Sequence, residues 1–466
     1  MRLPGLLSLI FLLPVMPMFA QSVVNNHDIF IIDSIIFQGN EKTKDAILLR
    51  ELTFSSGDTL NGDEYTQAIE FSRINLLKLS LFHTVDIDAF PLKDEGHISQ
   101  YIRVQERWYT WLWPVLEIYD PNFNTWYRKG DFTRLSYGLF FQQENFRGRM
   151  ERLHLIVKLG YQQEMLLHYE KPYINNAKTL GMGTEVRLAR DREIGYQTLN
   201  DKLEYYKGDD FMRQVTTVSA HLRYRKRIHT THFLQFSLNW LNISDSLLLL
   251  NPAYNGNASQ HTFFPSLSYF VKADYRDDRA YPLAGWYADA MLTHYGLGMV
   301  DAIHFATLRT SVRWHQPIGK RWNSALLFAS KLSTAGFKPY YLSQALGYDR
   351  DYVRGYEYYV VDGDHFGLVK ANIKYNVIKP GTLHLRCIKS PRFNTIPYAI
   401  YLNAFADTGK QWPGHLQQNN NLSGKMLTGI GLGIDFVTYY DKVFRAEITR
   451  NGEGETGFFL HFMAAI

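Results

Sequence analysis

Residues 398–407 read Y-A-I-Y-L-N-A-F-A-D. Tyr398, Ile400, Leu402, Ala404 and Ala406 point one way; Tyr401, Asn403, Phe405 and Asp407 point the other. Period two is the signature of a β-strand with one apolar and one polar face. The same rhythm runs outward from this stretch. In 369–377, Val369, Ala371, Ile373, Tyr375 and Val377 oppose Lys370, Asn372, Lys374 and Asn376. In 444–449, Phe444, Ala446 and Ile448 oppose Arg445, Glu447 and Thr449. In the last segment, Phe458, Leu460, Phe462, Ala464 and Ile466 oppose Phe459, His461, Met463 and Ala465. From Trp111 to Ile466 no sustained helical pattern appears, and the segments number about 16, an even count that suits closed antiparallel barrels. A soluble sandwich also alternates. The segments here, however, are often about ten residues long, near what a tilted strand needs to cross a bilayer. The expected fold is therefore mainly β, with a 16-stranded transmembrane antiparallel barrel over 108–466.

Composition agrees. Of 466 residues, 30 are Phe, 9 Trp and 31 Tyr, and the charged share is only 20%, which excludes a disordered chain. A single cysteine, Cys387, excludes a disulfide framework and a thiolate metal cluster. The net charge of +5 is too dilute to argue for nucleic acid as a partner. Residues 1–20 read as a secretory signal: Arg2, an apolar run from Leu3 to Phe19, and the small residue Ala20. Pro4, Pro14 and Pro17 spoil a membrane-spanning helix in that run.

Residues 21–107 carry a different pattern. Ile29 to Phe37 is a β-branched run ending in Gly39-Asn40, and residues 43–52 look helical. Asn61 with Glu64 forms an expected capping box for a helix that carries Tyr65, Ala68, Ile69, Ser72, Leu76 and Leu79. Val85, Ile87 and Ala89, then Ile102 and Val104, complete a small α/β unit with two helices on three strands.

One segment breaks the strand rhythm. Asp349 to Phe366, D-R-D-Y-V-R-G-Y-E-Y-Y-V-V-D-G-D-H-F, lies in a loop of about 336–365, and loops this long are often functional. Its core Val353-Arg354-Gly355-Tyr356 resembles the VRGF/Y signature of the BamA/TamA-like outer-membrane assembly and translocation superfamily. Phe405-Ala406-Asp407-Thr408-Gly409 is similar to that family's F-x-D-x-G strand motif. Asp277 to Trp286, D-D-R-A-Y-P-L-A-G-W, is similar to its D-x-R-x-x-P-x-x-G-W turn. Residues 21–107 resemble one POTRA module of the same family. The resemblance implies that the loop folds into the barrel and that Arg354 docks on the strand of Asp407, which lies on a polar face. Arginine's planar fork suits a bidentate carboxylate contact. Gly429, Gly431 and Gly433 share the polar face of another strand and leave room for an inserted loop. The sequence departs from the family at Lys374, where an acid is common. Either the loop rests on Asp407 alone, or another acid such as Glu447 compensates.

No catalytic set stands out: G-x-S-x-G, H-E-x-x-H and paired C-x-x-C are all missing from the sequence. The 16 histidines look scattered, and His229 and His232, three apart, fall on opposite faces of a strand. No enzyme activity, cofactor or metal is expected. By resemblance, the chain sits in the outer membrane of a diderm bacterium with its N-terminal domain in the periplasm. Its implied partners are unfolded outer-membrane or secreted client proteins, outer-membrane lipid and accessory lipoproteins. The implied activity is client insertion at the seam between the first strand (about Trp111–Tyr119) and the last (Gly457–Ile466). A dedicated translocator and, behind it, a passive pore are the alternatives.

Overall fold

The computed structural model describes residues 29–118, 134–256, 258–300, 303–385, 387–388, 394–412, 420–438 and 442–462. The signal reading over 1–20, Tyr119 and the last four residues lie outside them.

The N-terminal unit is a four-stranded sheet covered by two helices, Asp45–Leu49 and Gly62–Lys78. Its strand order places Thr59–Asn61 at one edge, then Ile29–Gln38, His97–Glu106 and, at the other edge, Phe82–Pro91. This corrects the three-strand expectation. Thr59–Asn61 is only three residues long, too short to show periodicity, and it pairs with Ile29–Ile31 just before the helix begins. The first helix is also shorter than residues 43–52 suggested. The second begins with a true capping box, the Asn61 side chain accepting from Glu64 N–H and the Glu64 side chain from Asn61 N–H. Ile32, Leu48, Leu76, Phe82 and Ile102 form the core between helices and sheet. At Gly39 the backbone has φ +85°, and a Cβ there would lie 2.0 Å from the Val104 carbonyl oxygen, so the turn out of the first strand requires glycine.

From Thr110 onward the chain forms a 16-stranded antiparallel sheet whose strands follow one another in chain order. Two hairpins lie off it, Glu193–Leu199 with Lys202–Lys207, and Gln344–Leu346 with Val361–Asp362. The polarity is inside out. On Thr395–Trp412, Asn403 and Asp407 are buried while Leu402 is exposed. On Met426–Thr438, Ile430, Leu432 and Ile434 are exposed while Asp435 is fully buried. A soluble protein would invert this. An outward apolar band around polar contents is the arrangement of a barrel solvated by lipid. Closing backbone hydrogen bonds strand to strand is also one of only two ways to cross a bilayer. Among the described residues no helix is long and apolar enough to do so.

The N-terminal unit is docked on the turns at the near end of the barrel. Lys44 N–H donates to the Gly148 carbonyl (2.9 Å), and Asn145 Nδ2 donates to Thr43 Oγ1 (2.8 Å). Arg225 grips Glu51 with both terminal nitrogens, the Nη2–Oε2 contact being 2.6 Å, and Tyr173 OH joins Glu51 at 3.3 Å. Arg50 Nη2 donates to the Arg225 carbonyl at 2.8 Å. Met150 and Tyr109 extend the core of the N-terminal unit into the barrel's turns. Burial beneath this mouth holds the Lys78 ammonium below the usual lysine range, opposed by Asp274 and reinforced by repulsion from Arg279.

Candidate functional site: the in-folded loop and its anchor

Between Trp322–Ser333 and His365–His384 the chain turns back into the lumen. Val353 and Tyr356 are buried there against Leu327, Leu346, Phe366 and Leu427. This apolar contact seats the loop. An ion pair and a hydrogen bond then hold it: Lys338 Nζ meets Asp364 at 2.9 Å, and Lys331 Nζ donates to the Gln344 carbonyl at 2.6 Å.

Arg354 lies at the centre, 2% exposed. Its Nε donates to Asp407 Oδ2 at 2.7 Å and its Nη2 to Asp407 Oδ1 at 2.5 Å. Its backbone N–H also reaches Asp407 Oδ2, at 3.2 Å. The guanidinium carbon stands 3.7 Å from the ring centroid of Phe405. Phe405 and Asp407, two apart on one strand, thus present a ring and a carboxylate on the same face. Charge-assisted and bidentate contacts of this kind are the strong ones, and the ring adds cation–π attraction. Gly429 and Gly409 give the loop room, while Gly431 and Gly433 make room for residues of neighbouring strands. A Cβ at Gly429 would lie 1.9 Å from the Arg354 carbonyl oxygen, and one at Gly431 would lie 2.5 Å from the Phe405 ring. At Gly433 a Cβ would approach Glu447 Cγ to 3.0 Å, and at Gly409 it would approach Val353 Cγ2 to 2.9 Å. Gly355 has φ +95°, and its carbonyl accepts from Asn451 Nδ2 at 3.0 Å. The structure therefore brings all ten motif and glycine residues singled out in the sequence into one neighbourhood.

Lys374 has its own solution. Its Nζ lies 4.3 Å from the ring centroid of Tyr281, a residue of the 275–284 turn. Tyr281 reaches into the lumen and donates to Asp435 Oδ2 at 2.7 Å, and Asp435 is clamped by Arg445 at 2.6 and 2.9 Å. Arg354 meanwhile gains Asn372 Oδ1 at 2.7 Å and Glu447 Oε1 at 3.5 Å. Asn372 precedes Lys374 by one strand repeat on the same face, a signal that sequence reading left unused. The histidines are less scattered than they looked. Register pairs His154 with His168, and the rings of His154, His168 and His221 line up at 5.7 and 6.3 Å over four strands, Leu180–Asp191 lying between the last two histidines. Sequence separations of 14 and 53 residues concealed this row.

Gly429→Ala is expected to shift the loop, because the new methyl meets a backbone carbonyl that cannot rotate away. Overpacking of this kind costs roughly 1–3 kcal/mol. Limited proteolysis of the intact barrel should cut the 349–364 segment faster than in the parent protein, and an equal rate would reject the steric account.

An inside-out antiparallel meander of sixteen strands, carrying a small α/β unit at its near end, defines a transmembrane β-barrel of the outer membrane with a periplasmic domain. Residues 30–107 match the POTRA family, described as surface antigen variable number repeat, and residues 145–438 match the Omp85 superfamily domain. The chain belongs to the Omp85 superfamily, and its POTRA domain lies in the periplasm. Among solved structures it is similar to BamA from Haemophilus ducreyi lacking POTRA domains 1–3, with a TM-score of 0.51 at 13% identity, covering 94% of this chain and 85% of that one. It is also similar to CdiB from Escherichia coli, with a TM-score of 0.53 at 12% identity, covering 94% and 76%. No curated relative matches the sequence. Membership of the superfamily supports a role in outer-membrane protein insertion or translocation.

Proposed function

We propose that the chain is an outer-membrane assembly factor, which captures clients with its POTRA domain and templates them at the barrel seam. The observation that carries this reading is the pair of strands at the two ends of the sheet. Thr110–Ile118 and Thr456–Phe462 are its terminal members, and among the described residues no ladder joins them. An unpaired strand edge is a template for another strand. Leu112 and Leu116, on one face of the first strand, are exposed, which suits an edge that faces lipid and an incoming apolar hairpin. The anchored loop lies inside the barrel beside a cavity of about 330 Å³ lined by Arg354, Lys370 and Glu447.

The test is photo-crosslinking from Leu116 in the native host, with every adduct identified. Adducts to many different barrel proteins are expected. Adducts to a single secreted protein would instead make the chain a dedicated translocator, and silence from a verified membrane-inserted protein would point to a closed pore.

A further inference from the structure

The terminal strand, its neighbour and the in-folded loop meet at a second cluster. Glu357 comes from the loop, Glu447 from Lys442–Asn451 and His461 from Thr456–Phe462. One ligand atom from each lies within 4.8 Å of the other two. Glu447 is 1% exposed. Glu447 turns Oε1 to two arginines and Oε2 to His461, and Glu357 binds the protein through one oxygen. Glu447 Oε1 faces Arg354 Nη1 at 3.5 Å and Arg445 Nη1 at 3.4 Å, while Glu357 Oε2 accepts from Gly355 N–H at 2.7 Å. Glu447 Oε2, Glu357 Oε1 and His461 Nε2 are buried and make no well-aligned hydrogen bond, Glu447 Oε2 and His461 Nε2 facing each other at 3.3 Å. A buried carboxylate oxygen left so is costly, and a bound ion is one of the standard remedies.

We propose that Glu357, Glu447 and His461 form a binding site for a divalent transition-metal ion of the zinc class, and that the ion staples the in-folded loop to the terminal strand. The donor set is two carboxylates and one imidazole, which such ions accept in place of thiolate. Glu447 Oε2 and His461 Nε2 stand 3.3 Å apart. That equals the edge of a tetrahedron with metal–ligand bonds of about 2.0 Å, roughly 3.3 Å. Arg354 and Arg445 give their bidentate contacts to Asp407 and Asp435 and reach Glu447 only through single, longer contacts on Oε1, which leaves Oε2 turned to the site. Lys370 lines the same cavity but holds its ammonium over the Tyr352 ring, 4.2 Å from its centroid. All three ligands line the cavity of about 330 Å³, which leaves space for water in the open position and a route of entry. His461 belongs to the strand at the seam, so the ion would tie the state of the loop to the state of that strand.

The test uses the full chain purified in detergent, stripped with a chelator and titrated with Co²⁺ and then Zn²⁺. A single tight equivalent is expected, with the visible absorption of low-coordinate Co²⁺, displaced by Zn²⁺. His461→Ala and Glu357→Gln should each weaken binding beyond the roughly 10–100-fold that loss of an outer-shell partner costs. Heat-modifiable gel mobility certifies that each variant is a folded barrel. Should His461→Ala fail to fold, Glu357→Gln, which changes only the loop, decides. No tight equivalent in the parent protein overturns the proposal. So does a titration unchanged in the variants, which would assign the metal to other groups such as the His154, His168 and His221 row.

Discussion

Arg354→Ala is expected to release the in-folded loop while leaving the barrel closed enough to run as a folded species on a gel. The Asp407 carboxylate has no exposed side-chain surface, and the arginine is its bidentate partner. Removing one member of a buried pair strands the other, at a cost of roughly 3–5 kcal/mol. That exceeds a hundredfold change in the equilibrium between docked and released loop, since 1.4 kcal/mol is tenfold. Arg354→Lys should fall between, because an ammonium supplies charge but neither the two-pronged contact nor a plane to stack on Phe405. Protease sensitivity across 349–364 reads the outcome. If the alanine variant keeps both the parent's protection and its client handling, the loop does not depend on this anchor. Lost protection with unchanged client handling would instead weaken the assembly reading, since a free loop would then be without consequence.

The second large effect is expected at the junction of the two domains. Arg225→Ala removes the only side chain that meets both oxygens of Glu51 among the described residues, and Glu51 is 1% exposed. The cost has the same origin and size, roughly 3–5 kcal/mol. Here, however, it is spent at an interface that can open. The POTRA domain should swing away from the turns at 145–150 and 225–229. Hydrogen exchange would register this at the Lys44 amide, which donates to Gly148 in the docked state. The effect should change little with salt, because screening acts weakly on a pair removed from water. Glu51→Gln keeps the shape and some hydrogen bonds, so it should loosen the junction less. Unchanged exchange at Lys44 in Arg225→Ala would mean that Met150, Tyr109 and the backbone contacts hold the domain without the ion pair.

Much of this architecture was legible in one dimension because its causes are local. A strand between lipid and water must alternate, so Asn403, Phe405 and Asp407 could be placed on one face before any coordinates existed. A helix start needs caps, so Asn61 and Glu64 marked it. An inserted loop needs space, so three glycines on one face pointed to a close approach. What escaped was pairing at long separation. Thr59–Asn61 becomes a strand only because Ile29–Ile31 offers it partners. Tyr281 was visible as part of a turn motif, but nothing in its neighbours says that it inserts beside Lys374 and Asp435.

The sequence by itself therefore determined the class of fold and the number of barrel strands, both of which follow from side-chain period and spacing along the chain, while the motif residues rested on a resemblance. Only the tertiary structure decided how Arg354 divides its donors among Asp407, Asn372 and Glu447, how Glu51 and Arg225 lock the domains, and how Glu357, Glu447 and His461 converge. Those contacts depend on strand register and on where a long loop comes to rest. Both are set by the simultaneous packing of segments up to 174 residues apart, which no local pattern encodes.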